Sequence, residues 1–272
     1  MKSNKKFYAG LLLVCTGVSI LLSACFQEQT TQPQGGSTNE RGTSRKEEVK
    51  VQPAPAADGK NTKKEKQDRD SLPVVADPDV VTVMVNKQNR LPENYSPDDL
   101  VYPNVRFLFD EKIEKRMLRK EAAKALEDLF AAAEKDGIYL AGVSGYRSEE
   151  RQKVIFNQYV AKDGEEKAKT YSAYPGTSEH QTGLAIDVSG TDGSCAAESC
   201  FAGTPEAEWL AAHAADFGFI IRYPEGKEKI TGYKYEPWHL RYVGIDLAKE
   251  VSTQGITLEE YFGEVLPVTT QP

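Results

Sequence analysis

The chain has 272 residues, 39% of them hydrophobic and 28% charged, which fits one or two soluble domains with polar appendages. A net charge of −7, with no basic stripe, excludes nucleic acid as an expected partner.

The chain opens on Lys2, Lys5 and Lys6 and runs into an apolar stretch from Phe7 to Leu22. That stretch is short for a membrane span and has the charged flank of a secretory signal. It ends in Leu22-Ser23-Ala24-Cys25, which resembles the lipobox of bacterial lipoproteins. The resemblance implies a signal peptide over 1–24, a diacylglyceryl group on Cys25, and anchoring on the outer side of a bacterial membrane. The segment 25–71 is polar, with three prolines and almost no aliphatic residues, so it cannot bury enough apolar surface to offset its ordering entropy. It reads as a tether whose coil spans on the order of 35–40 Å. The folded domain is expected over 72–272.

Within it, Val80 to Val85 is β-branched and predicts a strand. Leu118, Ala122, Ala125, Leu126, Leu129 and Ala133 share one helical stripe, so a helix is expected from about Glu111 to Asp136, stopped by Gly137. Ile138 to Val143 reads as a strand leading into Arg147. Ser148 is placed to cap a helix from Glu149 to about Ala161. Arg147 at this strand-to-helix corner either points into a site or makes a surface salt bridge.

Two stretches organise the rest. In Leu184 to Val188 the alternation sets Asp187 and Ala185 opposite Leu184, Ile186 and Val188, and Gly183 lets His180 bend toward Asp187. About fifty residues later comes Glu236-Pro237-Trp238-His239. Two histidines and one aspartate form a zinc-type ligand set with an open fourth position. Glu236 is then a spare carboxylate, placed to act as general base. Pro237 keeps Glu236 out of helical conformation, so the pair belongs on a strand or bulge.

Between the stretches lie Cys195 and Cys200. Cys15 leaves with the signal and Cys25 takes lipid, so the even remainder suggests a disulfide, expected to close a loop away from the metal. A second metal site is the alternative, but no histidine lies nearby. Thr204 and Pro205 open a helix through Asp216, where His213 reads as an ordinary half-buried histidine. Phe219 to Tyr223 predicts a strand followed by a hairpin. Helices from about Ile245 and Thr257 end the domain, the second with a Thr257–Glu260 capping box.

Ser144-Gly145-Tyr146-Arg147-Ser148, the Ser178-to-Asp187 stretch and Glu236-Pro237-Trp238-His239 occur in this order in the VanY-type D-alanyl-D-alanine carboxypeptidases. These are zinc metallopeptidases of the LAS group, which includes closely similar L,D-carboxypeptidases. The resemblance spans about Val80 to Gly263 with no departure at a motif position; the Cys195–Cys200 loop lies outside the pattern. It implies an α+β fold, with a small antiparallel sheet, surrounding helices, and one zinc in a cleft on the sheet. It implies His180, Asp187 and His239 as zinc ligands and Glu236 as catalytic base. Arg147 would hold the substrate carboxylate or the developing oxyanion, and Gln152, Ser178, Tyr223 and Trp238 would line the substrate pocket.

The implied activity is removal of the terminal D-Ala from peptidoglycan stem peptides by a membrane-anchored monomer. L,D cleavage of the tetrapeptide stem uses the same motifs. A non-catalytic peptidoglycan-binding lipoprotein would have no need of Glu236. An endopeptidase would need a cleft open beyond the carboxylate pocket.

Overall fold

The computed structural model describes residues 70–263. The signal, Cys25 and nearly all of the tether lie outside the described residues. In chain order the elements are β1 (Leu100–Val101), β2 (Leu118–Arg119), α1 (Lys120–Lys135), β3 (Leu140–Ser144), α2 (Glu149–Asp163) and α3 (Glu165–Ala168). There follow β4 (Ala185–Gly190), α4 (Pro205–His213), β5 (Phe219–Ile221), α5 (Glu228–Thr231), β6 (His239–Tyr242), α6 (Ile245–Gln254) and α7 (Leu258–Phe262). Strands β3-β4-β6-β5 form an antiparallel sheet, and β1-β2 a small ribbon. The architecture is the expected α+β.

The core lies between the sheet and α1. Ala122, Leu126, Leu129 and Ala133 of the helix are fully buried in one cluster with Leu184, Ile186 and Val188. Truncating Leu126 or Leu129 to Ala at such a site typically costs about 2–5 kcal/mol.

Two expected elements differ. The helix begins at Lys120, not near Glu111, because Leu118 and Arg119 are drawn into strand pairing with Val101 and Leu100. The Arg119 amide then donates to the Gly183 carbonyl at 2.8 Å, which ties the ribbon to the turn between His180 and Asp187. Val80 to Val85 is not a strand: it is irregular backbone with Val83, Met84 and Val85 buried. Its Val81 and Val83 carbonyls accept from Arg241 Nη2 at 3.0 and 2.8 Å, so a side chain takes the place of a neighbouring strand. The expected hairpin after Tyr223 contains the short helix α5 instead.

The caps read from the sequence are present. Ser148 Oγ accepts from the Arg151 amide, Thr204 Oγ1 from the Ala207 amide, and Thr257 with Glu260 forms a reciprocal capping box. His213 stacks on Trp209, with ring centroids 4.7 Å apart, and takes no part in the cleft.

Candidate active site

Sheet register assembles the floor of the site. Ser144 pairs with Asp187 across β3 and β4, after a bulge between Gly142 and Ser144, and Asp187 pairs with His239 across β4 and β6. Directly opposed residues share a face, so three strands present Ser144, Asp187 and His239 in one row. His180 reaches this row from a 3-10 turn, Glu179–Thr182, that ends at Gly183. Gly183 is left-handed (φ 68°), and a Cβ there would meet Leu100 Cδ2 at 2.8 Å. The turn and the close approach both require glycine.

The ligand atoms of His180, Asp187 and His239 all lie within 4.8 Å of one another, and all three residues are buried. His180 Nδ1 donates to the Gly145 carbonyl at 2.8 Å, because a carbonyl can only accept. That leaves the Nε2 lone pair facing Asp187 Oδ2 at 3.4 Å, while His239 Nδ1 is 3.1 Å from Asp187 Oδ1. Two acceptors aimed at each other in a buried site repel, and a cation seated among them removes the repulsion. The donor set, two imidazoles and one carboxylate, suits zinc.

Electrostatics agree with this use. Burial pushes His180 down to about 3, so it is neutral and able to ligate. Burial also lowers His239, but the Asp187 and Glu179 carboxylates on either side of the ring outweigh it and raise the ring to about 9. A metal ion competes with that proton. Desolvation opposes ionisation of Asp187, yet the two histidines and Arg147 hold it below its ordinary value.

Glu236 lies on irregular backbone before β6. Its amide donates to the Tyr223 carbonyl at 3.0 Å, and its carbonyl accepts from the His239 amide at 3.1 Å. Its carboxylate oxygen is 3.9 Å from His239 Nδ1, and burial pushes the group up to about 7. A carboxylate poised near neutrality beside a metal site is suited to exchange protons. Arg147 lines the same cleft. Its Nη1 donates to Gln152 Oε1 at 2.9 Å and its Nη2 to Ser144 Oγ at 3.2 Å, so its position is fixed.

These groups open into one cleft of about 640 Å³, and Ser178, Tyr223 and Trp238 line it as expected positions. Gln152 does not. It is fully buried behind the lining, its amide donating to Ser172 Oγ and the Ala173 carbonyl, and it supports the cleft through these two residues and Arg147. The disulfide joins Cys195 to Cys200, but its loop is not remote from the ligands. Cys195 packs on the core and Phe201 is buried, and between these anchors Ala197 to Cys200 form a wall of the cleft. A local polar sequence could not show on which side of the sheet the loop falls.

Behind the floor is a buried charge cluster that sequence reasoning missed. Glu179 Oε1 accepts from Arg222 Nε at 2.7 Å and from Arg241 Nη1 at 2.6 Å, and Arg222 also donates to both oxygens of Glu259. All four side chains are at most 1% exposed. The available signal was a lone Arg in each of two apolar strand runs, Phe219 to Tyr223 and Leu240 to Val243. Charge in such a run requires a buried partner.

Residues 115–245 match the family model described as VanY, D-alanyl-D-alanine carboxypeptidase. YodJ of Bacillus subtilis (strain 168), a carboxypeptidase by name, is 54% identical over 196 residues, 72% of this chain and 72% of that one. The solved structure of the LdcB LD-carboxypeptidase is 53% identical, covers 72% of this chain and 92% of its own, and superposes with a TM-score of 0.69. A variant of the vancomycin-resistance D,D-pentapeptidase VanY from a VanB-type cassette, in complex with Zn(II), is 36% identical. It covers 67% of this chain and 98% of its own, with a TM-score of 0.55. The chain belongs to the VanY family of D-alanyl-D-alanine carboxypeptidases.

Proposed function

We propose that the chain is a zinc-dependent carboxypeptidase that removes the C-terminal D-Ala from peptidoglycan stem peptides. The observation that carries this reading is the convergence of His180, Asp187 and His239 within 4.8 Å, in one cleft with Glu236 and Arg147. His180, Asp187 and His239 are the residues that hold the metal. Zinc, when bound there, supplies Lewis acidity toward the scissile carbonyl and toward water.

Glu236 accepts a proton from the attacking water and delivers it to the amine of the departing D-Ala. Arg147, braced by Gln152 and Ser144, offers a planar fork to the terminal carboxylate or to the developing oxyanion. Ser178, Tyr223 and Trp238 bound the pocket, and the Tyr223 ring packs 4.9 Å from the His239 ring, which limits movement of that ligand.

A second reading has its own support. The 53% identity to an LD-carboxypeptidase favours cleavage of the L-D bond of the tetrapeptide stem. Both readings remove a terminal D-Ala, and one experiment separates them. The purified protein is incubated with pentapeptide and tetrapeptide stems and the products are weighed. Loss of one alanine from the pentapeptide supports D,D cleavage, and loss only from the tetrapeptide replaces it with L,D cleavage. No loss from either defeats both.

The same reading includes a location. Leu22-Ser23-Ala24-Cys25 and the polar 25–71 segment support a lipid-anchored protein working outside the membrane, beside its polymer substrate. Cys25→Ser should release the protein or leave its signal uncut, with the catalytic rate unchanged. Membrane retention with normal processing would contradict the anchor.

A further inference from the structure

The proton and ligand roles above leave the first acidic position of the Ser178-to-Asp187 motif unused. Glu179, between Ser178 and His180, has its Oε1 committed to Arg222 and Arg241. Its Oε2 is buried with no hydrogen-bond partner, and so is His239 Nε2. These two atoms face each other at 3.5 Å. The gap exceeds a formed hydrogen bond, yet a small rotation of the imidazole closes it and satisfies both atoms.

The chemistry of the pair has only one direction. A carboxylate oxygen accepts and cannot donate, so the ring proton must lie on Nε2. Asp187 Oδ1 lies 3.1 Å from Nδ1 and can accept a proton there, so it is the Nδ1 proton that a metal displaces, leaving the Nδ1 lone pair facing the site while Nε2 keeps its proton. The carboxylate cannot turn away, because both guanidiniums that hold Oε1 are themselves fixed. Arg222 is held by Glu259, and Arg241 by the Val81 and Val83 carbonyls.

We propose that Glu179 is a positioning residue that sets His239 in the Nε2–H tautomer and thereby directs Nδ1 to the metal. The inference rests on the zinc reading given above. It explains why a cluster of four buried charges sits directly behind the floor of the cleft: it aims one oxygen at one ring nitrogen. Carboxylate partners of ligating histidines raise metal affinity in this way.

It also makes Glu179→Gln anything but conservative. Arg222 and Arg241 demand an acceptor at the Oε1 position, so the amide oxygen must sit there. The amide NH2 is then turned toward His239 Nε2, which must accept, and the ring proton moves to Nδ1. Zinc affinity, measured by competition with a chromophoric chelator on the full chain, should fall by about 10–100-fold.

Glu259→Gln is the comparison, because it removes another charge of the cluster while Arg241 still holds Glu179 Oε1 and Oε2 keeps its charge beside His239. It should lose thermal stability as Glu179→Gln does and lose clearly less zinc affinity. Equal losses of zinc affinity in both variants, or none in either, would overturn the proposal. A third measurement needs no variant. In the zinc-loaded wild type, 15N-resolved imidazole spectra should show a protected proton on His239 Nε2. A proton on Nδ1, with zinc at Nε2, would overturn the proposal even if Glu179→Gln fails to fold. A wild-type chain that takes up no zinc would instead defeat the zinc reading on which this one stands.

Discussion

The floor of the cleft carries Asp187 and His239 on hydrogen-bonded strands whose register puts them side by side, with buried charges behind them. The walls carry Glu236 and the disulfide loop on irregular backbone; two main-chain bonds hold Glu236, and the covalent bridge closes the loop. Ligands of a metal must keep fixed mutual distances, and paired strands provide that. A group that shuttles a proton, or a wall that admits a peptide, must tolerate small displacements, and irregular backbone allows them. Substitutions in the floor and in the walls should therefore fail in different ways.

The largest effects belong to the floor. His180→Ala, Asp187→Ala or His239→Ala removes one of three ligand positions, so zinc content and D-Ala release should fall together to background. Atomic spectroscopy alongside a product assay measures both, and an active chain lacking one of these ligands would break the distinction. Arg147→Lys comes next. It keeps the charge but loses the bonds to Gln152 and Ser144 in their present geometry. A charge-assisted hydrogen bond lost from the transition state corresponds to about 10–100-fold in kcat/KM, with zinc content unchanged. The smallest effect is expected at the loop wall. Cys195→Ser with Cys200→Ser should raise KM by a few-fold and leave kcat and zinc content near wild type. A loop that had no part in the cleft would leave KM unchanged as well.

The same division marks what could be read from the sequence. His180, Asp187, Glu236 and His239 were legible because their chemistry is carried by residue type and spacing, and the caps at Ser148, Thr204 and Thr257 because they act locally. Glu179 was visible only as an unassigned position in a motif. Its partners Arg222 and Arg241 lie 43 and 62 residues away, and no local pattern reports such a contact. Val80 to Val85 had the composition of a strand, but Arg241 claims its carbonyls from 158 and 160 residues away, so tertiary contact overrode propensity. Gln152 was expected at the pocket surface, and its position behind Arg147 depends on how α2 packs, which periodicity does not fix.

Metal binding and proton transfer fall to different residues of the cleft, and Glu236→Gln tests that separation directly. Gln keeps the shape of the side chain but cannot take the proton from water. Zinc per chain should stay at the wild-type value while D-Ala release falls by at least about 10²–10⁴-fold. The wild type should also lose kcat/KM on the acidic side, as Glu236 becomes protonated. Burial, partly offset by the neighbouring cationic groups, puts that group at about 7, and a neighbouring dication favours its ionised form, so the midpoint should lie below that value. Near-wild-type turnover in Glu236→Gln would contradict the mechanism, and loss of its zinc would mean that Glu236 belongs to the metal rather than to the proton.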